Sequence, residues 1–100
     1  MEDLLVKLRA VADETRLNII KLLLSKNYCV KALAKRLDIS ESAVSQQLKV
    51  LREADLVMGE KKGYFVHYMV KKEIVLAVAD DFKKLINDHC EEDSSCRDAT

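Results

Sequence analysis

The amino-acid sequence predicts a mainly α-helical domain with one β-hairpin. Helix-breaking residues are scarce, with no Pro and only two Gly in 100 residues, and a chain of this length forms one domain. Apolar residues recur at helical spacing along most of the chain, and the spacing changes to alternation only after Leu56. Because 49% of the residues are hydrophobic and only 5% are aromatic, we expect an aliphatic core.

The first two helices are predicted over residues 3–12 and 14–25. Asp13 suits the N-cap of the second helix, and Asn27 suits a left-handed C-cap after it. Helical spacing assigns to the core Leu4, Leu5, Leu8, Val11 and Ala12 of the first helix and Leu17, Ile20 and Leu24 of the second.

The next two helices predict a helix-turn-helix motif. A short helix over residues 29–37 is followed by "DIS" and by an amphipathic helix that Ser40 caps. Val44, Leu48 and Leu51 form the apolar face of that capped helix. Two short helices joined by a tight turn, the second with a polar outer face, are typical of this motif.

The segment "LVMGEKKGYFVHYMV" predicts the β-hairpin, since β-branched and aromatic residues alternate on both sides of a turn. Gly63 is suited to the positive φ of that turn. A last helix is predicted over residues 72–89, with an apolar stripe at heptad-like spacing. We therefore expect a folded domain over residues 1–90 and an acidic flexible tail over residues 91–100.

The net charge is zero, but the charges are unevenly distributed. Residues 80–100 hold seven acidic and three basic residues, which leaves a net charge of +4 on the rest. A basic body permits an anionic partner, although an ordinary solvated surface with an acidic tail would look the same.

Other classes of protein are not supported by the sequence. No apolar run approaches the roughly 18 residues that span a bilayer, and the acidic N-terminus differs from a secretion signal. We expect a cytoplasmic protein without a membrane partner, in which the cysteines stay reduced. We do not expect an enzyme, because the sequence shows no nucleophile–base pair, no Gly-rich phosphate loop and no pair of acids in a plausible cleft.

The outer face of the capped helix carries side chains that suit DNA. Its outward residues are Ser42, Ser45, Gln46 and Lys49, with Gln47 on the flank. Gln can donate and accept together across the edge of adenine, Ser is compatible with several bases, and Lys reaches guanine or phosphate. This face predicts a contact with the major groove, and the basic hairpin tip predicts a contact with the backbone. A solvated helix surface is the alternative.

Three stretches resemble the arsenic-repressor (ArsR/SmtB) family of winged helix-turn-helix transcription repressors. They read "VADETRLNIIKLLL", "CVKALAKRLDISESAVSQQLKVLREADLV" and "KKGYFVHYMV", and the resemblance covers roughly residues 5–72. It implies a homodimer with the element order α1-α2-α3-α4-β1-β2-α5, which binds operator DNA through α4 and the hairpin, or wing, and releases it when an inducer binds. One departure is "DETR", where the family commonly has "DPTR".

We expect the DNA contacts to be made by Ser42, Ser45, Gln46, Gln47, Lys49, Lys61, Lys62 and Tyr64. Further candidates for phosphate contacts are Thr15, Arg16, Lys35 and Arg36. The apolar stripes of the first and last helices exceed what a small core can cover, which predicts a homodimer. The expected contacts of that homodimer are Leu4, Leu8, Val78, Phe82 and Leu85. The alternative is that both stripes fold back on their own chain.

The family's sensing sites are incomplete in this sequence. Cys29 matches the first cysteine of a "CVC" metal site, but Lys31 occupies the place of the second. We expect Cys90 and Cys96, together with Cys29, to bind a soft metal or metalloid such as As(III), Cd(II), Zn(II) or Cu(I). The alternatives are a disulfide between Cys90 and Cys96 and thiols without a sensing role.

The expected function is that of a homodimeric, sequence-specific DNA-binding repressor released by a soft metal, a metalloid or a thiol-directed signal. Two alternatives remain at this point. One is a winged-helix module that binds protein, and the other is a regulator of this family without a metal site.

Overall fold

The computed structural model of the protein describes residues 2–89. Within this range the elements are α1 (Glu2–Val11), α2 (Glu14–Ser25), β1 (Tyr28–Cys29), α3 (Val30–Leu37), α4 (Glu41–Glu53), β2 (Val57–Lys62), β3 (Phe65–Val70) and α5 (Lys72–His89). The mainly helical fold with a hairpin is confirmed. The short strand β1 was not expected, so the two strands of the predicted hairpin are β2 and β3.

The helix starts follow from local capping. The side chain of Asp13 accepts a hydrogen bond from the backbone N–H of Arg16 at 3.1 Å, and that of Ser40 accepts one from Ala43 at 3.0 Å. Each cap satisfies a backbone donor that the first turn of a helix leaves without a partner. Both predicted N-caps are confirmed.

The predicted left-handed cap at Asn27 is wrong. Helix α2 ends at Ser25, and Lys26 is already extended with φ −168°. The chain runs on into β1, whose residues pair with β3, and this pairing requires extended backbone where a left-handed turn was expected. In the described part, the left-handed non-glycine residues are Asp38 and Asp55.

The buried face of α2 also differs from the prediction. Ile19, Ile20 and Leu23 are buried, whereas Leu17 is 50% and Leu24 is 45% exposed. Helix α2 packs against α1, α4 and β3, so the direction of these neighbours decides which side of the helix is covered. The expected core residues Leu5 of α1 and Ala12, which directly follows α1, are likewise exposed.

The strands form an antiparallel sheet in the order β1-β3-β2. Tyr28 pairs with Tyr68 and Cys29 pairs with His67, which ties the start of α3 to the wing. Gly63 has φ +65° in the hairpin turn, as the sequence predicts. At Gly59 an added Cβ would lie 2.8 Å from a methyl carbon of Val66, so this position in β2 needs the absence of a side chain.

The core is formed by residues of all five helices and of the three strands. Its fully buried side chains are Ile19, Leu33, Val44, Leu48, Leu51 and Leu56. Only the apolar face of α4 packs into this aliphatic core, as predicted. The expected tail and the thiols of Cys90 and Cys96 lie outside the described residues.

Candidate nucleic-acid interface

Helix α4 presents a polar face on the side opposite its buried stripe. Ser42, Ser45, Gln46 and Lys49 are all exposed, while Val44, Leu48 and Leu51 are at most 1% exposed. The outward orientation predicted for these four polar side chains is confirmed. The apolar residues of α4 pack against the rest of the chain, so its polar face is left exposed to solvent.

The side chain of Gln47 is hydrogen-bonded to another residue of the same chain. Its Oε1 accepts a hydrogen bond of 2.8 Å from Nη1 of Arg16. The same guanidinium donates through Nε to the carbonyl oxygen of Ala10 at 2.6 Å and through Nη2 to that of Arg9 at 3.3 Å. The Arg16 side chain is only 18% exposed. The Arg16 side chain therefore braces α4 against the end of α1. It is turned away from the solvent, where a phosphate group of DNA would lie.

This brace was not foreseen from the sequence, which offered Arg16 and Gln47 as DNA contacts. The two residues are 31 positions apart, and no local pattern indicates that they meet. The helical spacing did place Gln47 on the flank of α4 rather than on its outer face. A flank position beside the buried stripe is where a brace to a neighbouring helix can form.

The tip of the wing is exposed and basic. Lys61 and Lys62 are exposed, and Tyr64 in the turn is fully accessible at 101% of its reference area. Nζ of Lys62 lies 3.5 Å from a carboxylate oxygen of Glu60, a surface ion pair that contributes little to stability. Tyr64 lines one opening together with Glu41 at the start of α4, so this part of the wing lies close to that helix.

The remaining phosphate candidates lie on α2 and α3. Lys35 and Arg36 are exposed, and Thr15 is half-buried. The Arg36 guanidinium and Nζ of Lys26 each lie 5.2 Å from the ring centre of Tyr28, at cation–π distance.

An ion pair holds the wing to the end of α4. Lys71 donates a hydrogen bond to the carboxylate of Asp55, and its backbone N–H donates to the carbonyl oxygen of Leu56 at 2.9 Å. The hydrogen bond from Lys71 holds the pKa of the Asp55 carboxyl below its usual value of 3.8. The two contacts fix the point where β3 leaves the wing and α5 begins.

Helices α1 and α5 pack on each other but leave apolar surface uncovered. Leu4 and Val78 are each 9% exposed, so two of the five predicted dimer contacts are already buried within the chain. Leu8 and Leu85 are half-buried. We use the name exposed apolar face below for the exposed large apolar side chains of these two helices, which are Leu5 at 43%, Val6 at 49%, Leu76 at 64%, Phe82 at 48% and Ile86 at 53% exposure.

Cys29 lies half-buried at the junction of β1 and α3, opposite His67. Within residues 2–89, no group of three or more His, Cys, Asp or Glu side chains is placed to hold a metal ion. The described part of the chain therefore does not complete a ligand set around Cys29. None of the described helices combines the length and the apolar composition needed to cross a membrane.

This domain has a helix with an exposed polar face and, beside that helix, an exposed basic hairpin. The two features together are those of a winged helix-turn-helix DNA-binding domain. The family model described as "Bacterial regulatory protein, arsR family" matches residues 13–58. The arsenical resistance operon repressor of Escherichia coli (strain K12) is 43% identical over 68 residues, which are 66% of this chain and 57% of that protein. The chain thus spans little more than half the length of that relative.

Two further comparisons extend the match. The transcriptional activator HlyU of Vibrio cholerae is 38% identical over 80 residues, which cover 80% of this chain and 74% of HlyU. The solution structure of a homodimeric winged helix-turn-helix DNA-binding domain from Mycobacterium bovis matches with a TM-score of 0.72 at 23% identity, over 92% of this chain and 85% of that one. The protein belongs to the ArsR family of bacterial transcription regulators.

Proposed function

We propose that this protein is a sequence-specific DNA-binding repressor that acts on operator DNA. The observation that carries the proposal is the polar face of α4, which is exposed as a whole beside an exposed basic wing. A face of Ser, Gln and Lys offers donors and acceptors to base edges. A face that served only solubility would need no such combination. Operator DNA lies in the cytoplasm of a bacterial cell, so we propose that the protein acts there.

In this proposal α4 enters the major groove. Ser42, Ser45 and Gln46 approach the base edges, and Lys49 reaches guanine or phosphate. Lys61, Lys62 and Tyr64 of the wing contact the neighbouring backbone, which positions the protein without reading sequence. Gln47 supports α4 through Arg16 instead of reading a base.

We propose that the active form is a homodimer in which the exposed apolar faces of two copies meet. In the single chain five large apolar side chains of α1 and α5 are between 43% and 64% exposed, and a second copy packed on them would remove this apolar surface from water. The related domain from Mycobacterium bovis is described as homodimeric. Dimeric helix-turn-helix proteins bind half-sites about 34–36 Å apart, so we expect the operator of the proposed homodimer to be two-fold symmetric.

Two single substitutions test the DNA contacts. Gln46→Ala should weaken operator binding by about 1–3 kcal/mol and leave binding to random DNA nearly unchanged. Lys62→Ala should weaken both by similar amounts, because a phosphate contact is the same on any sequence. Fluorescence anisotropy with labelled duplexes measures both effects. Equal losses on operator and random DNA in both variants would contradict the assignment.

The rival function is a winged-helix module that binds another protein, and ionic strength separates the two. Binding to DNA through several phosphates weakens steeply and linearly with the logarithm of the salt concentration. Docking of a protein on an apolar patch does not. A salt-independent affinity for the native partner would favour the rival function.

We also propose that a soft metal or metalloid, or an oxidant of thiols, releases the protein from DNA through Cys90 and Cys96 together with Cys29. The support is the sequence pattern and the printed names of the arsenical-resistance relatives. The test titrates arsenite into the reduced protein bound to operator DNA, with Cys90→Ser and Cys96→Ser as variants. Release that both variants retain would favour a regulator of this family without this site.

A further inference from the structure

A cleft lies between the outer side of α3 and the outward face of β1 and β3. Two adjoining cavities of about 630 and 400 Å³ form it, and both are lined by Cys29, Ala32, Lys35 and His67. These volumes fall within the range of small-molecule sites in proteins. No residue of α4 lines either cavity, but a further opening that shares Cys29, Lys31 and Phe65 with the smaller cavity reaches Glu41 at the start of α4.

The rim of the cleft is cationic. Lys35 borders both cavities, Lys26 and Arg36 border the larger one, and Lys31 borders the smaller one. No Asp or Glu among the described residues lines either cavity. Two of the four cations are held in place, since Lys26 and Arg36 both rest on the ring of Tyr28 at 5.2 Å. The four cations outnumber the one acidic residue of the adjoining opening, Glu41, and this excess of positive charge favours an anionic occupant.

The floor of the smaller cavity is apolar. Its lining includes Phe65, Ala32 and Cys29 beside Lys31, Lys35 and His67. Phe65 is 52% exposed, so a ligand that covered the ring would bury apolar area. A phosphate group of DNA gains no binding free energy from an apolar surface, whereas a hydrocarbon or aryl group does when it covers that surface.

We propose that this cleft binds a small amphipathic anion, namely a carboxylate or sulfonate that carries a hydrocarbon or aryl group. The charged group lies between Lys35 and the pair of Lys26 and Arg36, and the apolar group lies over Phe65. The ligand bridges α3 and the wing, because Lys35 belongs to the first and Phe65 to the second. The binding claim is independent of the proposed DNA-binding function.

The experiment uses the full-length reduced protein without DNA and three matched probes. Sodium octanoate has both the charge and the chain, octylamine has the chain with the opposite charge, and acetate has the charge without the chain. Isothermal titration calorimetry measures affinity, and NMR chemical shifts of the Phe65 and His67 side chains locate the probe. Octanoate should bind about tenfold or more tightly than either other probe, and it should shift both side chains.

Three substitutions separate the parts of the site. Lys35→Gln should weaken octanoate binding about two- to fivefold, the loss expected for one partly exposed ion pair. Phe65→Ser should weaken it several-fold through lost apolar burial. Lys83→Gln on α5 removes one exposed positive charge that lines neither cavity and should leave octanoate binding unchanged. Thermal unfolding curves check that each variant remains folded.

Equal affinity for octanoate and octylamine, or shifts confined to the exposed apolar face of α1 and α5, would overturn the proposal. A DNA-backbone role for the cleft would overturn it as well. That role predicts that Lys35→Gln weakens binding to random DNA and lowers its salt dependence, while octanoate fails to bind. A protein that binds octanoate as described but no DNA leaves this inference intact and refutes the proposed function.

Discussion

Helices α4 and α5 are built by the same rule and present opposite surfaces. Each buries one apolar stripe, with Leu48 of α4 at 1% and Val78 of α5 at 9% exposure. On the side opposite its buried stripe α4 exposes Ser, Gln and Lys. Helix α5 instead leaves apolar side chains exposed, namely Leu76 and, near the buried Val78 on the same side of the helix, Phe82 and Ile86. The buried stripes explain the fold alone. The exposed residues, which the fold does not require, are the ones to which we assign partners: in our proposal DNA contacts α4 and a second copy of the chain contacts α5.

The largest expected effect contrasts the two faces of α4. Leu48→Ala should lower the free energy of unfolding by about 2–5 kcal/mol, because it removes a fully buried side chain and leaves a cavity. Its neighbour on the exposed face provides the control, since Lys49→Ala should change stability by less than about 0.5 kcal/mol. Urea denaturation at one fixed protein concentration measures both. Similar costs for the two substitutions would show that α4 is not anchored by one face.

The next effect concerns the exposed face of α5. Phe82→Ser should weaken the homodimer by about 1.5–3 kcal/mol, because the half-exposed ring is lost once from each copy. Lys83→Ser is the matched control and should leave dimerisation nearly unchanged. Sedimentation equilibrium over a range of concentrations gives the dissociation constants. An unchanged constant for Phe82→Ser would remove α5 from the dimer interface and with it the contrast with α4.

A smaller effect separates two serines at the start of α4. Ser40→Ala removes the N-cap and should lower the free energy of unfolding by about 1 kcal/mol. Ser42→Ala removes an exposed hydroxyl from the polar face, so it should leave stability nearly unchanged and weaken operator binding. Unfolding and DNA-binding measurements on the same two variants test the separation. Loss of stability in both would mean that the polar face also serves the fold.

The smallest effect lies at the end of α4, where Lys71 pairs with Asp55. The pKa of the Asp55 carboxyl is lowered in the folded protein, so the pair stabilises the fold above pH 3.8 and this contribution is lost as the pH falls through the lowered value. Lys71→Gln should therefore lower the thermal unfolding temperature slightly at neutral pH and not below the lowered pKa. Lys72→Gln is the neighbouring control. A difference that persisted at the lowest pH would exclude this ion pair as its cause.

Much of the site could be read from the sequence because its signals are local. Asp13 and Ser40 cap their helices, Gly63 forms the turn, and helical spacing turns Ser45 and Gln46 away from Leu48. Each of these features depends on residues within about one turn of one another. They are the features by which the chain resembles its family, and the structure preserves them.

Features that depend on contacts between residues distant in the sequence were decided by the tertiary structure. The rotation of α2 that exposes Leu17 and Leu24 follows from where α1, α4 and β3 lie around it. The strand β1 exists because Tyr28 and Cys29 find partners in β3 about 40 residues later. A run of only two residues is too short to predict a strand from the sequence.

The sequence by itself determined that this chain forms amphipathic helices, a turn and a basic hairpin, since these follow from residue type and short-range spacing. It did not determine that Arg16 would brace Gln47, or that α1 and α5 would bury Leu4 and Val78 while leaving Phe82 exposed. Those outcomes depend on how helices cross and which side chains compete for the same space. That competition is resolved only when the whole domain packs at once.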